Sequence, residues 1–237
     1  MNKKNKHKIV RFRRLASTND YAKEKKKFGK NLLIIAGAQP CGRGTKGRSF
    51  SSEKGGVYLT ALTFYKNFPS SMAFTVMQKT AVAVCETLVR FGLTPKIKWP
   101  NDIFVDEKKI CGILIENTFS GGEVADSIVG VGLNVNNVLP DELREIATTI
   151  KKETGKKVCL SKVRRYLIKN LLAEKDVETV AKKYAQYLGW LGQEAVLLVG
   201  DEKINARLLS VDETGALVAK TSSGVQKFSS AEVSLRL

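Results

Sequence analysis

Histidine is almost absent from this chain: His7 is the only one, and it lies in a charged N-terminal stretch. A Ser-His-Asp relay or a histidine-based zinc site would have to be built on that residue, which argues against both. Cysteine is scarce as well. Cys41, Cys85, Cys111 and Cys159 are widely spaced, and no CxxC pair occurs. That excludes a cysteine-rich metal module, argues against a disulfide framework and fits reduced thiols in a cytosol. No stretch approaches the ~20 consecutive apolar residues of a membrane span. The opening MNKKNKHKIVRFRR lacks the apolar run of ~7–15 residues that a signal peptide needs. The expectation is a soluble, cytoplasmic protein with no membrane partner. There is also no internal repeat and no low-complexity linker.

What is present is an ordinary globular composition. Of 237 residues, 43% are hydrophobic and 27% charged, so a disordered or fibrous chain is excluded. The length suits one large domain, or a domain with a small module. Acidic residues are outnumbered, 23 against 40, for a net charge of +17. Residues 1–30 hold twelve Lys/Arg against only Asp20 and Glu24, a surplus of ten out of that seventeen. Residues 1–14 therefore read as a basic arm. Such an arm can bind nucleic acid or acidic proteins, or can simply be a solvated face.

Hydrophobic patterning predicts strands at 31–39 (NLLIIAGAQ) and 56–64 (GVYLTALTF), joined by a Gly-, Ser- and cation-rich loop. Residues 72–91 predict a helix, with Met77, Ala81, Val84, Cys85 and Leu88 on one apolar face and Gly92 as its stop. IFV and ICGILIE flank the charged turn DEKK and predict a hairpin. DSIVGVGLNVN predicts another strand, with Gly130 and Gly132 marking close approach by a ligand or another backbone. Residues 161–173 and 176–189 predict two helices, Ser161 capping the first. From about Gln193, short β-runs alternate with GDEK, DETG and SSG, which predicts a small all-β, barrel-like module.

Three segments carry chemistry. Gly42-Arg43-Gly44-Thr45-Lys46-Gly47-Arg48 combines glycines that let backbone approach a ligand with cations that can neutralise an anion. It is neither a Walker loop nor a dinucleotide fingerprint. Lys98-Trp99-Pro100-Asn101-Asp102 is stiffened by its proline and offers oxygens that suit Mg²⁺ or polar ligands, followed by Lys109 on the returning strand. Ser17-Thr18-Asn19 reads as a helix N-cap, a place that can also hold a carboxylate or amide.

Taken in order, Ser-Thr-Asn, Gln39, GRGxxGR, KWPND, Lys-x-x-Gly-Ile-Leu-x-Glu and GxGxN resemble the biotin–protein ligases over more than nine-tenths of the chain. The resemblance implies an α+β fold: a class II synthetase-like catalytic domain of mixed sheet and helices over residues 15–190, then an SH3-like β-barrel over 191–237. It implies ATP-dependent formation of biotinyl-5′-AMP, with Mg²⁺, and transfer of biotin to one lysine of a carboxyl carrier protein of acetyl-CoA or pyruvate carboxylase. By the same resemblance, biotin would contact Ser17, Thr18, Asn19, Gln39, Arg43, Gly44, Thr45, Lys109, Gly112, Gly130 and Gly132. ATP would contact Arg48, Phe50, Lys98, Trp99, Asn101 and Asn134. Arg43 and Lys109 would be catalytic, and Asp102 is the residue nearest any Mg²⁺. Phe50 stands where the family usually has Trp, and Thr45 where it commonly has Arg.

Only sixteen residues precede Ser17, too few for the winged helix-turn-helix of repressor-type members, so no specific DNA binding is expected. Pairing through the GVGLN strand offers a route to a homodimer, and a monomer is equally consistent. The competing readings are a lipoate–protein ligase and, in another class, a basic nucleic-acid binder using residues 1–30 and 43–54.

Overall fold

In a computed structural model that describes residues 7–200, 202–229 and 233–236, seven strands form one mixed sheet and five form another. The first sheet comprises β1 (Lys8–Phe12), β2 (Leu32–Ala36), β3 (Val57–Phe64), β4 (Lys96–Lys98), β5 (Asp102–Val105), β6 (Lys108–Ser120) and β7 (Glu123–Leu133). Their spatial order is β1-β2-β3-β7-β6-β5-β4. Only β1 and β2 run parallel.

Helices cover both faces, and the strand sequences show why. All five residues of β2 are buried. With a side-chain period of two, Leu33 and Ile35 enter the main core while Leu32 and Ile34 enter a smaller one on the opposite face. The main core is roofed by α2 (Phe74–Val89), α4 (Leu160–Leu171) and α5 (Val177–Tyr187). The smaller one is closed by α1 (Thr18–Lys25) through Ala22. A short α3 (Ile150–Thr154) precedes α4. Together with the turn before it, α2 is long and apolar enough to cross a membrane by length and composition (Ser70–Val89). Here it is the central helix of the main core, with Val76, Ala81, Val84, Cys85 and Leu88 buried.

Four expectations change. Lys8–Phe12, read as part of a basic arm, is an edge strand hydrogen-bonded to β2; residues 1–6 of that arm lie outside the described residues. Ser161 does not cap α4. The cap is Cys159, whose Sγ lies 3.1 Å from Ser161 Oγ. The GVGLN strand is no edge: β7 sits between β3 and β6 and is paired on both sides, so it offers no ladder to a second copy. The DEKK turn narrows to Asp106 and Glu107, both with positive φ (44° and 65°), because Lys108 and Lys109 already belong to β6.

Two consecutive left-handed residues make a tight two-residue hairpin that favours glycine at its second position. At the other end of β6 the chain does use glycines, Gly121 and Gly122, at φ 57° and 80°. Glu107 is exposed, so Glu107→Gly relieves backbone strain without removing a core contact. Its expected effect is a stability gain of about 0.5–1 kcal/mol in urea unfolding, with the slope of the transition unchanged.

The C-terminal module is a five-stranded antiparallel sheet, in order β11-β10-β9-β8-β12. It comprises β8 (Glu194–Val199), β9 (Glu202–Val211), β10 (Leu217–Thr221), β11 (Gly224–Phe228) and β12 (Val233–Arg236). Leu197, Ala206, Leu208, Leu217, Ala219 and Phe228 form its core, and Trp99 and Trp190 pack into the same cluster.

Candidate active site

Cross-strand register on the α1 side of the large sheet builds the floor of a cleft. Tyr58, Gly132, Gly112 and Asp102 align across β3, β7, β6 and β5. Thr60, Gly130 and Leu114 form the next row. The alternate residues Val129, Val131, Cys111 and Ile113 point into the main core. Three glycines thus leave room on one face of strands that are fully packed on the other. The resulting cleft is open to solvent, and with its mouth included it spans about 480 Å³ of space between atoms.

One end of the cleft is a polar cluster at the start of α1. Ser17 Oγ accepts the Asp20 N–H at 3.2 Å, as an N-cap should. Gln39 Oε1 accepts both the backbone N–H of Thr18 (2.7 Å) and its hydroxyl (2.9 Å). Gln39 Nε2 donates to Ser52 Oγ at 3.1 Å. Buried Thr60 Oγ1 lies 2.7 Å from both Thr18 Oγ1 and Asn19 Oδ1. A side chain at Gly130 would place its Cβ 2.3 Å from Asn19 Oδ1, so glycine there is what admits Asn19 to the floor.

The wall beside this cluster is held by charge. Arg43 reaches Asp20 at 2.7 Å and Glu116 at 3.3 Å, while Glu116 also meets Lys23 at 2.7 Å and accepts from Asn19 Nδ2 at 3.2 Å. Partial burial pushes the Glu116 carboxyl up, but the hydrogen bonds from Lys23 and Asn19 and the charge of Arg43 outweigh it and hold the group below its ordinary range. Arg43 therefore stands at the rim with its charge offset by two carboxylates. The loop that carries it folds back on itself: Phe50 N–H donates to the Gly42 carbonyl (2.9 Å) and Gly44 N–H to the Arg48 carbonyl (2.7 Å). A Cβ at Gly42 would meet the Phe50 carbonyl at 2.3 Å.

The other end belongs to the KWPND segment and β6. Lys109 Nζ lies 2.7 Å from Asp102 Oδ1 and 5.9 Å from the Phe50 ring centre. Asn101 donates through Nδ2 to the Ile113 carbonyl at 2.7 Å. The Phe50 ring rests on the floor itself, since Cβ atoms at Gly132 and Gly112 would come within 2.5 and 3.0 Å of it.

Of the residues expected here, Ser17, Thr18, Asn19, Gln39, Arg43, Gly44, Thr45, Phe50, Asn101, Asp102, Lys109, Gly112, Gly130 and Gly132 all line the cleft, with Ile113, Leu114 and Val131. Four lie away from its lining. Trp99 is 4% exposed and turned into the C-terminal core, donating through Nε1 to the Gly215 carbonyl at 3.0 Å. Asn134 is buried in a turn, where it accepts from Asn137 Nδ2 at 3.1 Å. Lys98 lies over the Phe104 ring at 5.3 Å. Arg48 is exposed, and its carbonyl is spent on Gly44. Sequence reasoning missed Thr60, which looked like one more β-former in an apolar strand, and Asp20, which entered only as one of two acids among the cations of residues 1–30. Glu116 was part of the recognised motif but had no stated role.

Two thiols flank these segments. Cys111 has no exposed surface, and burial pushes its thiol well above the ordinary range even though Lys109 pulls it down, so it is not activated. Cys41 is exposed beside the loop. No group of three or more His, Cys, Asp or Glu able to hold a metal ion occurs among the described residues.

Known proteins resemble the chain along most of its length. Residues 11–134 match the model of the biotin/lipoate A/B protein ligase family, and residues 191–236 match the biotin protein ligase C-terminal domain. The bifunctional ligase/repressor BirA of Bacillus subtilis is 30% identical over 218 residues, which is 86% of this chain and 66% of that protein. The chain thus spans about two-thirds of that relative's length. The biotin–[acetyl-CoA-carboxylase] ligase of Paracoccus denitrificans is 26% identical over 84% of this chain and 88% of its own. The solved biotin protein ligase of Aquifex aeolicus in complex with biotin and ATP superposes with a TM-score of 0.77 at 30% identity, covering 96% of this chain and 98% of that one. The chain belongs to the biotin/lipoate A/B protein ligase family.

Proposed function

We propose that this protein is a biotin–protein ligase. It activates biotin with ATP to biotinyl-5′-AMP and passes biotin to one lysine of a carboxyl carrier protein. The observation that carries the reading is the polarity of the cleft. A neutral hydrogen-bonding cluster (Ser17, Thr18, Asn19, Gln39) stands at one end and a cation (Lys109) at the other, over a shared glycine floor.

The neutral end suits a ureido head group, which presents amide-like donors and a carbonyl. The cationic end suits the carboxylate and phosphates. In the first step a biotin carboxylate oxygen attacks the α-phosphorus of ATP and pyrophosphate leaves. Two anions must be brought together, which positioned cations make possible. In the second step the carrier lysine attacks the acyl carbon and AMP leaves. No enzyme nucleophile is required, in keeping with a chain that has one histidine.

Mg²⁺ fits only as a passenger of the phosphates. Asp102 is the one carboxylate at that end and it already faces Lys109, so the protein offers a single ligand rather than a cage. Bound there, the ion would neutralise phosphate charge. For Phe50 to cover an adenine, its ring must lift off Gly112 and Gly132. The cytosol, where ATP and reduced thiols coexist, is the compartment this reading requires.

The test is biotin transfer to an isolated carrier domain by the purified protein with MgATP, run beside lipoate. Pyrophosphate exchange that depends on lipoate and not on biotin would replace this reading with lipoate ligation, which the family description also includes.

Thr45 bears on how long the adenylate stays. It lines the cleft, where a hydroxyl cannot supply the guanidinium's charge or its fork of donors. Thr45→Arg is expected to slow biotinyl-adenylate release by up to about fivefold, the ~1 kcal/mol ceiling of an exposed charge pair. Rapid dilution into a trap measures it. An unchanged release rate would show that position 45 does not set retention.

A further inference from the structure

We propose that Gly215, in the β9–β10 turn of the C-terminal module, is a positioning residue for the nucleotide end of the cleft. This rests on the assignment of Asn101, Asp102 and Lys109 to that end. The turn is rigidly built. Asp212 Oδ1 accepts from Thr214 N–H (3.0 Å), Thr214 Oγ1 (2.7 Å) and Ala216 N–H (3.0 Å), and its other oxygen meets Lys227 Nζ at 2.9 Å. Within it, Gly215 has φ +90°, a conformation that disfavours any side chain.

Two contacts made by Gly215 close a ring that grips the KWPND segment from both sides. Its carbonyl accepts the buried Trp99 Nε1–H at 3.0 Å. Its Cα faces Phe74 at the start of α2, so closely that a Cβ would fall 2.3 Å from the Phe74 ring. Phe74 meets Tyr184 of α5 edge-on, with centroids 5.6 Å apart. Tyr184, 1% exposed, donates from Oη to the Pro100 carbonyl at 3.1 Å. Trp99 and Pro100 are thus held through one closed circuit that runs by way of the C-terminal module.

The next two residues face the cleft. Asn101 exchanges two hydrogen bonds with Ile113 (2.7 and 3.1 Å), and Asp102 pairs with Lys109. They start from a backbone whose place the circuit sets. The polar cluster at the start of α1 has no member in this circuit. A shift at Gly215 is therefore transmitted to the nucleotide end and spares the other.

Gly215→Ala combines an unfavourable φ with overlap on Phe74. Small misplacements of positioned groups cost up to roughly a hundredfold, and the expected result is an affinity for MgATP weakened by between tenfold and a hundredfold. Affinity for biotin, which is held by its head group at the other end and meets Lys109 only through its carboxylate, falls far less. Both are read by separate calorimetric titrations of the full chain. Trp99→Phe, which removes the Nε1–H donor with the indole's five-membered ring and keeps an aromatic side chain in the core, is the milder companion should Gly215→Ala not fold; it is expected to shift MgATP affinity in the same direction and biotin affinity far less. In the double variant the second change adds less than it does alone. Equal weakening of both ligands, or a lower Tm in both variants with no change in MgATP affinity, overturns the proposal. Wild-type protein that binds MgATP but not biotin would sink the biotin ligase reading, while the variants' MgATP affinities still decide the role of Gly215.

Discussion

Lys109→Ala is expected to slow single-turnover formation of biotinyl-adenylate by roughly 10–150-fold. That is the span of a lost charge-assisted contact of ~1.5–3 kcal/mol. Lys109 sits at the start of β6, where its backbone is pinned from the far side: its N–H donates to the Ile146 carbonyl and its carbonyl accepts from Thr148 N–H, both at 2.9 Å. Its Nζ is aimed across the floor at Asp102 and is half-buried. A surface lysine lying along apolar groups would have a mobile head in solvent; this one is directed by strand register. The folded state loses only an incompletely buried ion pair, so Tm is expected to fall by no more than a few degrees. Quench-flow with radiolabelled ATP separates the two. Unchanged adenylate formation would remove Lys109 from the chemistry. A matching loss in Asp102→Asn would instead show that the pair, rather than the cation alone, is what the reaction needs.

Gly130→Ala is expected to weaken biotin binding by roughly 5–150-fold, the equivalent of stranding one buried polar group at ~1–3 kcal/mol. Its new Cβ would stand 2.3 Å from Asn19 Oδ1 and 3.0 Å from its Cγ. Asn19 is 5% exposed and engaged by Thr60 and Glu116. It cannot move without abandoning the Thr60 hydroxyl, which has no accessible surface of its own. The same displacement loosens the Glu116–Arg43 wall beside it. MgATP affinity should change far less, because Asp102 and Lys109 share no hydrogen bond with this cluster. Adding Asn19→Ala to Gly130→Ala should cost little more, since the contact is already lost. Calorimetric titration of both variants decides the matter; biotin affinity within twofold of the parent would show that the floor tolerates a methyl group.

Order and residue type carried much of this protein in the sequence alone. NLLIIAGAQ announced a strand covered on both faces because an unbroken apolar run cannot leave a side exposed. Gly130 and Gly132, two apart in a strand, announced close approach by a ligand or another backbone; in the structure the Asn19 side chain and the Phe50 ring come closest there, with Gly112 directly opposite Gly132. Ser17 as a cap was likewise legible, since it follows from local geometry, whereas Lys109 could as well have lain along apolar groups, and only the fold faces it to Asp102.

What stayed hidden depended on residues far apart in the chain. Lys8–Phe12 looked like a charged arm because its apolar Ile9, Val10 and Phe12 are set among the cations of residues 1–14; only pairing with β2 makes it a strand, and a strand at an edge has just one partner to reveal it. Trp99 sat in the most recognisable motif, yet its indole faces Gly215, 116 residues away, and no local pattern encodes that contact. Thr60 and Glu116 gain their roles only when β3, β7 and β6 lie side by side beneath α1. Residue types in their order thus carried the family, most of the elements and much of the lining of the cleft. Packing selects which of those side chains meet, because period-two alternation states which residues share a face but not which strand will be the neighbour.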